Sequence, residues 1–289
     1  MDPHERAGRT TLQLTHGGTE RPYLLQIPPS AGEERLPLLL ELHGRGIDAV
    51  QFDGLTGFGE LAAEAGYALA MPSAISEMWN DGRNPATGGI HRPDDVAYLA
   101  AVLDDVLARA AIDPHRIYVA GMSNGATMAG RLACELPDRL AAVAQVAGTA
   151  AVEVVSRCRP ARSTPILSIH GSADDYAPYE GGTRHSLRSR LVLRHASGPV
   201  VGVDEWARFW VEANGARAEP ATTELLPDTT VRAWRGASPQ SDVVFYRVEG
   251  AGHTWPGGRW VLPAFLFGKT SGTFDAARTI WEFLAAHRA

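Results

Sequence analysis

Residues Arg116 to Leu132 read "RIYVAGMSNGATMAGRL". An apolar run, Ile117 to Ala120, leads into Gly121-Met-Ser-Asn-Gly125. A segment with Met128, Leu132 and Leu136 at four-residue intervals follows, stopped by Pro137. The run reads as a strand buried on both faces, and the interval is that of a helix face. A serine between two glycines at such a strand-to-helix turn has the pattern of a nucleophile elbow, where the residues two before and two after must be small because backbone segments meet there. Five residues alone do not settle this, since a glycine-rich loop carries a serine just as easily. The remainder of the chain has to supply the partners a nucleophile needs.

On both sides of this stretch the chain alternates strands with helices. "TLQLT" (Thr11 to Thr15) and "PYLLQI" (Pro22 to Ile27) read as a hairpin at a sheet edge. "PLLLELHG" (Pro37 to Gly44), "YALAMP", "LAAVAQVAG", "TPILSIHG" and "DVVFYRVEG" read as strands, most of them continuously apolar. A helical patch lies around Leu61 to Ala65. In "RPDDVAYLAAVLDDVLARAAI", Val96, Leu99, Leu103, Val106 and Ala110 fall three or four residues apart on one face, with Pro93, Asp94 and Asp95 suited to the first turn and Arg109 to the last. "VDEWARFWVEANG" and "TFDAARTIWEFLAAH" are the later helices, and "DPHR" before Ile117 reads as a turn. Such alternation predicts an α/β chain with a mostly parallel central sheet and helices on both faces. With no repeat or low-complexity linker, residues 1–289 read as one catalytic domain, in which the basic, loosely patterned 183–203 is a surface insertion or a lid.

Composition narrows the partners. The chain has 289 residues, 45% hydrophobic and 21% charged, with a formal net charge of -6. No basic stripe is visible, which disfavours nucleic acid and anionic membrane surfaces. No window approaches the roughly 20 apolar residues of a membrane span. The N-terminus as written has no basic-then-apolar leader, which predicts a cytoplasmic protein, or a secreted one if a leader has been removed. Cys134 and Cys158 are too few for a disulfide framework or a zinc site; they read as two buried thiols or one bridge, the latter pointing to export. His91, His185 and His195 show no metal-ligand spacing, and neither metal nor cofactor is expected.

A serine hydroxyl needs a base, and the base needs an orienting acid. In this fold class the order along the chain is serine, acid, histidine. "ILSIHGSADDYAPYEGG" offers Asp174 or Asp175 just beyond a strand ending at His170-Gly171. "VVFYRVEGAGHTWPGG" offers His253 on a glycine-rich loop after Glu249. All three candidates lie past the carboxyl ends of strands, where open α/β sheets bind ligands. The oxyanion of a tetrahedral intermediate needs two aimed backbone N–H groups. The expected donors are Asn124, directly after the serine, and Arg45 in "LHGRG", whose flanking glycines let its amide turn inward. Trp79 in "EMWNDGR" and Trp255 in "GHTWPGG" are candidates for substrate contact; for Trp79 the other reading is a loop anchor beside an Asp81-Gly82 turn. The loop Arg259 to Phe267, with Trp260 and Phe265, either packs on the core or lines an acyl pocket.

The stretches "LHGRG", "WNDGR", "DPHRIYVAGMSNGATMAGRLACELPDRLAAV", "IHGSADDYAPYEGG", "GAGHTWPGG" and "GKTSGTFDAARTIWEFLAAH" together resemble the esterase/polyhydroxybutyrate depolymerase family of α/β-hydrolases, itself similar to feruloyl and acetylxylan esterases. The resemblance covers nearly all of the chain after residue 20. It implies an α/β-hydrolase fold and a serine carboxylic-ester hydrolase with an acyl-enzyme intermediate. It places the acid on Asp174, leaving Asp175 where many relatives carry proline. It also implies that Cys134 and Cys158 match one cysteine pair of relatives, while Ala216 and Ala237 stand where another pair is common. The expected substrates are short-chain, hydroxyalkanoate-oligomer or aromatic esters, small or oligomeric because no polymer-binding module is present. An acyltransferase, a peptidase or an inactive binding homologue would use the same framework.

Overall fold

The central strands assemble because nearly every side chain on them is apolar on both faces. The computed structural model describes residues 8–29, 34–83, 93–183 and 198–289. Of the expected 183–203 insertion, 184–197 lies outside the described residues, as do His91, His185 and His195. The strands are β1 (Arg9–His16), β2 (Thr19–Gln26), β3 (Leu36–Leu42), β4 (Ala68–Pro72), β5 (Ile112–Met122), β6 (Ala142–Val146), β7 (Ile166–Gly171), β8 (Ala221–Leu226), β9 (Thr229–Trp234) and β10 (Val243–Val248). They form one sheet in the order β1-β2-β4-β3-β5-β6-β7-β10-β9-β8. The six inner strands, β4 to β10 in that order, are parallel; β1–β2 and β8–β9 close the two ends as antiparallel ribbons. This is the mostly parallel α/β sheet expected from the alternation of elements.

Helices cover both faces: α1 (Ala49–Thr56), α2 (Phe58–Ala65), α3 (Asp95–Arg109), α4 (Asn124–Glu135), α5 (Val152–Arg157), α6 (Val203–Ala213), α7 (Ala264–Phe267) and α8 (Ala276–Ala285). Strand side chains alternate between two cores. Leu38, Leu40 and Leu42 join Leu99 and Leu103 of α3, Met128 and Leu132 of α4, and Trp206 and Trp210 of α6. Leu39, Tyr118 and Ala120 join Phe52 and Leu55 of α1, Phe58 of α2, and Ile280 and Leu284 of α8. Side-chain caps fix the helix starts. Asp94 accepts from the Ala97 amide and Asp275 from the Arg278 amide, while Asp48 and Gln51 form a reciprocal capping box on α1.

Several elements depart from the sequence reading. The β8–β9 ribbon and helices α1, α5 and α7 were not expected. The "DPHR" segment is not a separate turn; it bulges within β5, so that Leu36 and Leu38 of β3 face Ile112 and Ile117. Cys134, near the end of α4, is joined to Cys158, directly after α5, by a disulfide. Of the two readings of these cysteines, the single bridge is the one realised.

The topology decides where a ligand can sit. From β3 the chain crosses to β4 on one side and then returns to place β5 on the other. The carboxyl ends of β3 and β5 therefore flank a topological switch point, the crevice favoured for binding in open α/β sheets.

Candidate active site

Ser123 stands at that crevice, between the end of β5 and the first residue of α4. Its backbone sits at φ 57° and ψ -118°, a conformation non-glycine residues rarely hold, and its amide donates to the Val146 carbonyl at 2.9 Å. The flanking glycines are required by contact. A Cβ on Gly125 would lie 2.1 Å from the Leu42 carbonyl oxygen, and one on Gly121 would lie 2.6 Å from the Gly125 carbonyl. The sequence signal "GMSNG" is thus a record of how closely α4 presses on the ends of β3 and β5.

His253 and Asp174 meet this serine from loops after β10 and β7. Ser123 Oγ lies 2.8 Å from His253 Nε2, and His253 Nδ1 lies 2.8 Å from Asp174 Oδ2. Asp174, rather than Asp175, makes that bond. Its Oδ1 accepts the amides of Tyr176 at 2.8 Å and Ala177 at 2.9 Å. Burial pushes the Asp174 carboxyl up, but the His253 and His170 rings, with the hydrogen bonds it accepts, outweigh burial and hold it below the usual carboxylate range. His170 lies at the end of β7, its Nε2 3.5 Å from Asp174 Oδ2, and its Nε2–H donates to the Ala177 carbonyl at 2.8 Å. Burial lowers its pKa and outweighs the opposing pull of Asp174 and of the bond to Ala177, so the neutral ring is favoured. Asp174 therefore accepts the Nδ1 proton of one ring, His253, while the second ring, His170, braces its loop through the Ala177 carbonyl.

The serine opens into an apolar cavity of about 90 Å³. Ile47, Leu55, Met122, Leu262 and Phe267 line it, together with Gly44, Arg45, Tyr176, Trp260 and the two reacting residues. Of the two readings of the Arg259–Phe267 loop, the pocket wall is the one observed. Trp260, Val261 and Phe265 leave the rim exposed and apolar. Arg45 is on the wall, after β3, and Asn124 is the first residue of α4, whose amide is among those a helix leaves without an internal acceptor.

Trp79 and Trp255, the candidates for substrate contact, lie behind the cavity wall rather than on it. Neither lines the cavity, and both are almost fully buried. Trp255 packs edge-on against Phe52 and Phe58, because the glycine-rich loop that exposes His253 turns the next aromatic inward. Trp79 is an anchor. Its amide donates to Asn124 Oδ1 at 2.7 Å and its indole N–H to the His43 carbonyl at 3.0 Å. Asn124 Nδ2 returns hydrogen bonds to the Trp79 carbonyl and to Asp81. His43, buried and lowered in pKa by desolvation, accepts the Ala74 amide on Nε2 and directs its Nδ1 proton to the Gly44 carbonyl. Sequence reasoning gave no site role to His43, Asp81, His170 or Tyr176, although all four sit inside stretches already singled out.

The family model described as esterase PHB depolymerase matches residues 21–185. The protein named "Putative esterase NocK" of Nocardia uniformis subsp. tsuyamanensis is 33% identical over 98% of this chain and 84% of its own length. Feruloyl esterase B of Piromyces equi is 27% identical over 77% of this chain, which spans 40% of that longer protein. Among solved structures, a thermostable esterase superposes with a TM-score of 0.60 at 17% identity, covering 98% of this chain and 64% of that one. An acetyl xylan esterase from Aspergillus awamori superposes at 0.59 and 15% identity, covering 84% and 94%. At those identities the structures establish the shared fold, that of the α/β-hydrolases.

Proposed function

The chain belongs to the esterase PHB depolymerase family, a family of carboxylic ester hydrolases, and we propose that it cleaves esters of short acyl groups through an acyl-enzyme on Ser123. The observation that carries this reading is the unbroken series from Ser123 Oγ to His253 to Asp174, opening into a small apolar cavity.

In this mechanism the Ser123 Oγ attacks the ester carbonyl carbon while His253 Nε2 takes the hydroxyl proton. Asp174, held ionised by its surroundings, orients the ring and balances the imidazolium. The amides of Arg45 and Asn124 receive the oxyanion. The tetrahedral intermediate collapses, the alcohol oxygen leaves with the proton from His253, and the acyl group stays on Ser123. Water then attacks the acyl carbon while giving a proton to His253, and His253 returns that proton to Ser123 Oγ as the acid leaves.

Cavity size supports the acyl preference. About 90 Å³ is far below the roughly 300 Å³ at which drug-sized pockets begin. An acetyl or butyryl group fits such a space better than a feruloyl group. The alcohol portion then lies toward the rim formed by Trp260 and its neighbours. Turnover of p-nitrophenyl esters from acetyl to octanoyl, beside an alkyl ferulate, tests the reading. The expected optimum is at two to four acyl carbons, and Ser123→Ala should abolish it. Retained activity in Ser123→Ala, or a ferulate preferred over acetate, overturns the reading.

A further inference from the structure

Two hydrogen bonds hold the His253 imidazole, one at each ring nitrogen. One face of the ring is covered as well. Tyr176 stacks on this ring with centroids 5.0 Å apart and planes 29° from parallel. Tyr176 also stacks on Phe267, at 5.2 Å and 23°. Its hydroxyl donates to the Leu266 carbonyl at 3.3 Å, and its amide donates to Asp174 Oδ1 at 2.8 Å. The residue is almost wholly buried and forms part of the cavity wall beside Ser123. One residue thus touches the acid through its backbone and the base through its ring.

We propose that Tyr176 is a positioning residue for His253: its ring restrains the imidazole against tilting out of the Ser123–Asp174 line and stabilises the imidazolium formed during each half-reaction. The chemistry follows from the aromatic quadrupole. The face of a phenol ring is electron-rich and attracts a cation laid over it, most strongly where water is excluded. The imidazole is neutral before Ser123 gives up its proton and cationic while the tetrahedral intermediate exists. The stack is therefore stronger in the transition state than in the ground state, and only such a difference raises kcat. The proton moves from Ser123 Oγ to His253 Nε2 and then to the departing alcohol oxygen; Tyr176 gains and loses none.

This inference rests on the acyl-enzyme mechanism above, so Ser123→Ala is run beside it. The substrates are p-nitrophenyl acetate and butyrate. Tyr176→Phe, which keeps the ring and loses the Leu266 contact, should retain at least half of the parental kcat. Tyr176→Leu, which keeps an apolar wall without a ring, should lose roughly 5- to 30-fold in kcat, with KM within about threefold on both esters. Fluorinated phenylalanines at position 176 provide a shape-preserving series. As fluorination drains the ring face, kcat should fall stepwise while the thermal midpoint stays constant. A loss confined to KM, a Phe variant as impaired as the Leu variant, or a flat fluorination series overturns the proposal. If Ser123→Ala is inactive while the series is flat, only the role of Tyr176 fails. If Ser123→Ala remains active, the mechanism itself fails.

Discussion

The indole N–H of Trp79 donates to the backbone carbonyl of His43 at 3.0 Å, two residues before Arg45. Through its backbone the same tryptophan holds the side chain of Asn124. The two expected oxyanion donors, Arg45 in the loop after β3 and Asn124 at the start of α4, follow different strands, and Trp79 is bonded to both segments. Replacing it with phenylalanine leaves the His43 carbonyl without its partner in a buried setting, which costs about 1–3 kcal/mol. Trp79→Phe should lower the urea midpoint and reduce kcat while leaving KM for p-nitrophenyl acetate unchanged. A rise in KM alone would restore the substrate-contact reading.

Asp174 and Asp175 are adjacent, yet only the first makes the bond to the base. Asp174→Asn would leave an amide where His253 Nδ1 needs an acceptor for its proton, favouring the wrong tautomer. In the serine protease example of this effect the loss is about 10⁴-fold in kcat, and a loss of at least 10³-fold is expected here. Asp175→Asn should stay within about threefold of the parent. Steady-state kinetics on the two variants decides between the carboxylates.

Ser123 holds an uncommon backbone conformation that alanine would share and glycine would relax. Both substitutions should abolish turnover. Ser123→Gly should be more stable than Ser123→Ala by about 1 kcal/mol, as read by chemical denaturation, since strain of this kind costs on the order of 1–3 kcal/mol and added unfolded-chain entropy returns part of it. Equal stability would mean that the elbow carries no strain.

Glu41 on β3 is buried, with Oε1 accepting from Thr56 and Asp53 nearby. Burial first, and the Asp53 charge second, push its carboxyl well above the usual range. A raised folded-state value means that the unfolded chain releases this proton at lower pH than the folded one. The contribution to stability is complete below about pH 4, where both states are protonated, and is lost as pH rises toward the folded value. Glu41→Gln should therefore show a smaller fall in thermal midpoint between pH 5 and pH 8 than the parent does. A parallel fall in the two proteins would contradict the assignment.

Much of this was legible because local chemistry and global position coincide. The parallel strands are buried on both faces, so they appear as continuous apolar runs. Gly121 and Gly125 are demanded by contacts with neighbouring backbone, so the elbow is written into five consecutive letters. The β8–β9 ribbon was not read because "LLPDTT" lacks the Asn-Gly or Asp-Gly turn that marks a tight hairpin. Helix α1 contains Gly54 and is only eight residues long, too short for periodicity to show; the Asp48–Gln51 capping box was its readable signal. Tyr176 escaped for a different reason. Its partner His253 lies on a loop after another strand, and no spacing along the chain reports a stack between them. The burial of the two tryptophans was not legible because an aromatic beside a reacting residue in sequence can point either way, and here both point into the core.

The bridge between Cys134 and Cys158 closes a loop with a sequence separation of 24 residues that takes in β6 and α5. For a loop of that size, chain-entropy reasoning assigns roughly 3 kcal/mol to cross-linking of the unfolded state, a sizeable part of the 5–15 kcal/mol that typically separates a folded domain from its unfolded ensemble. One end of that loop is anchored in α4, the helix that starts directly after Ser123. The redox state of the surroundings in which the chain folds is thus one of the determinants of how long its nucleophile stays in place.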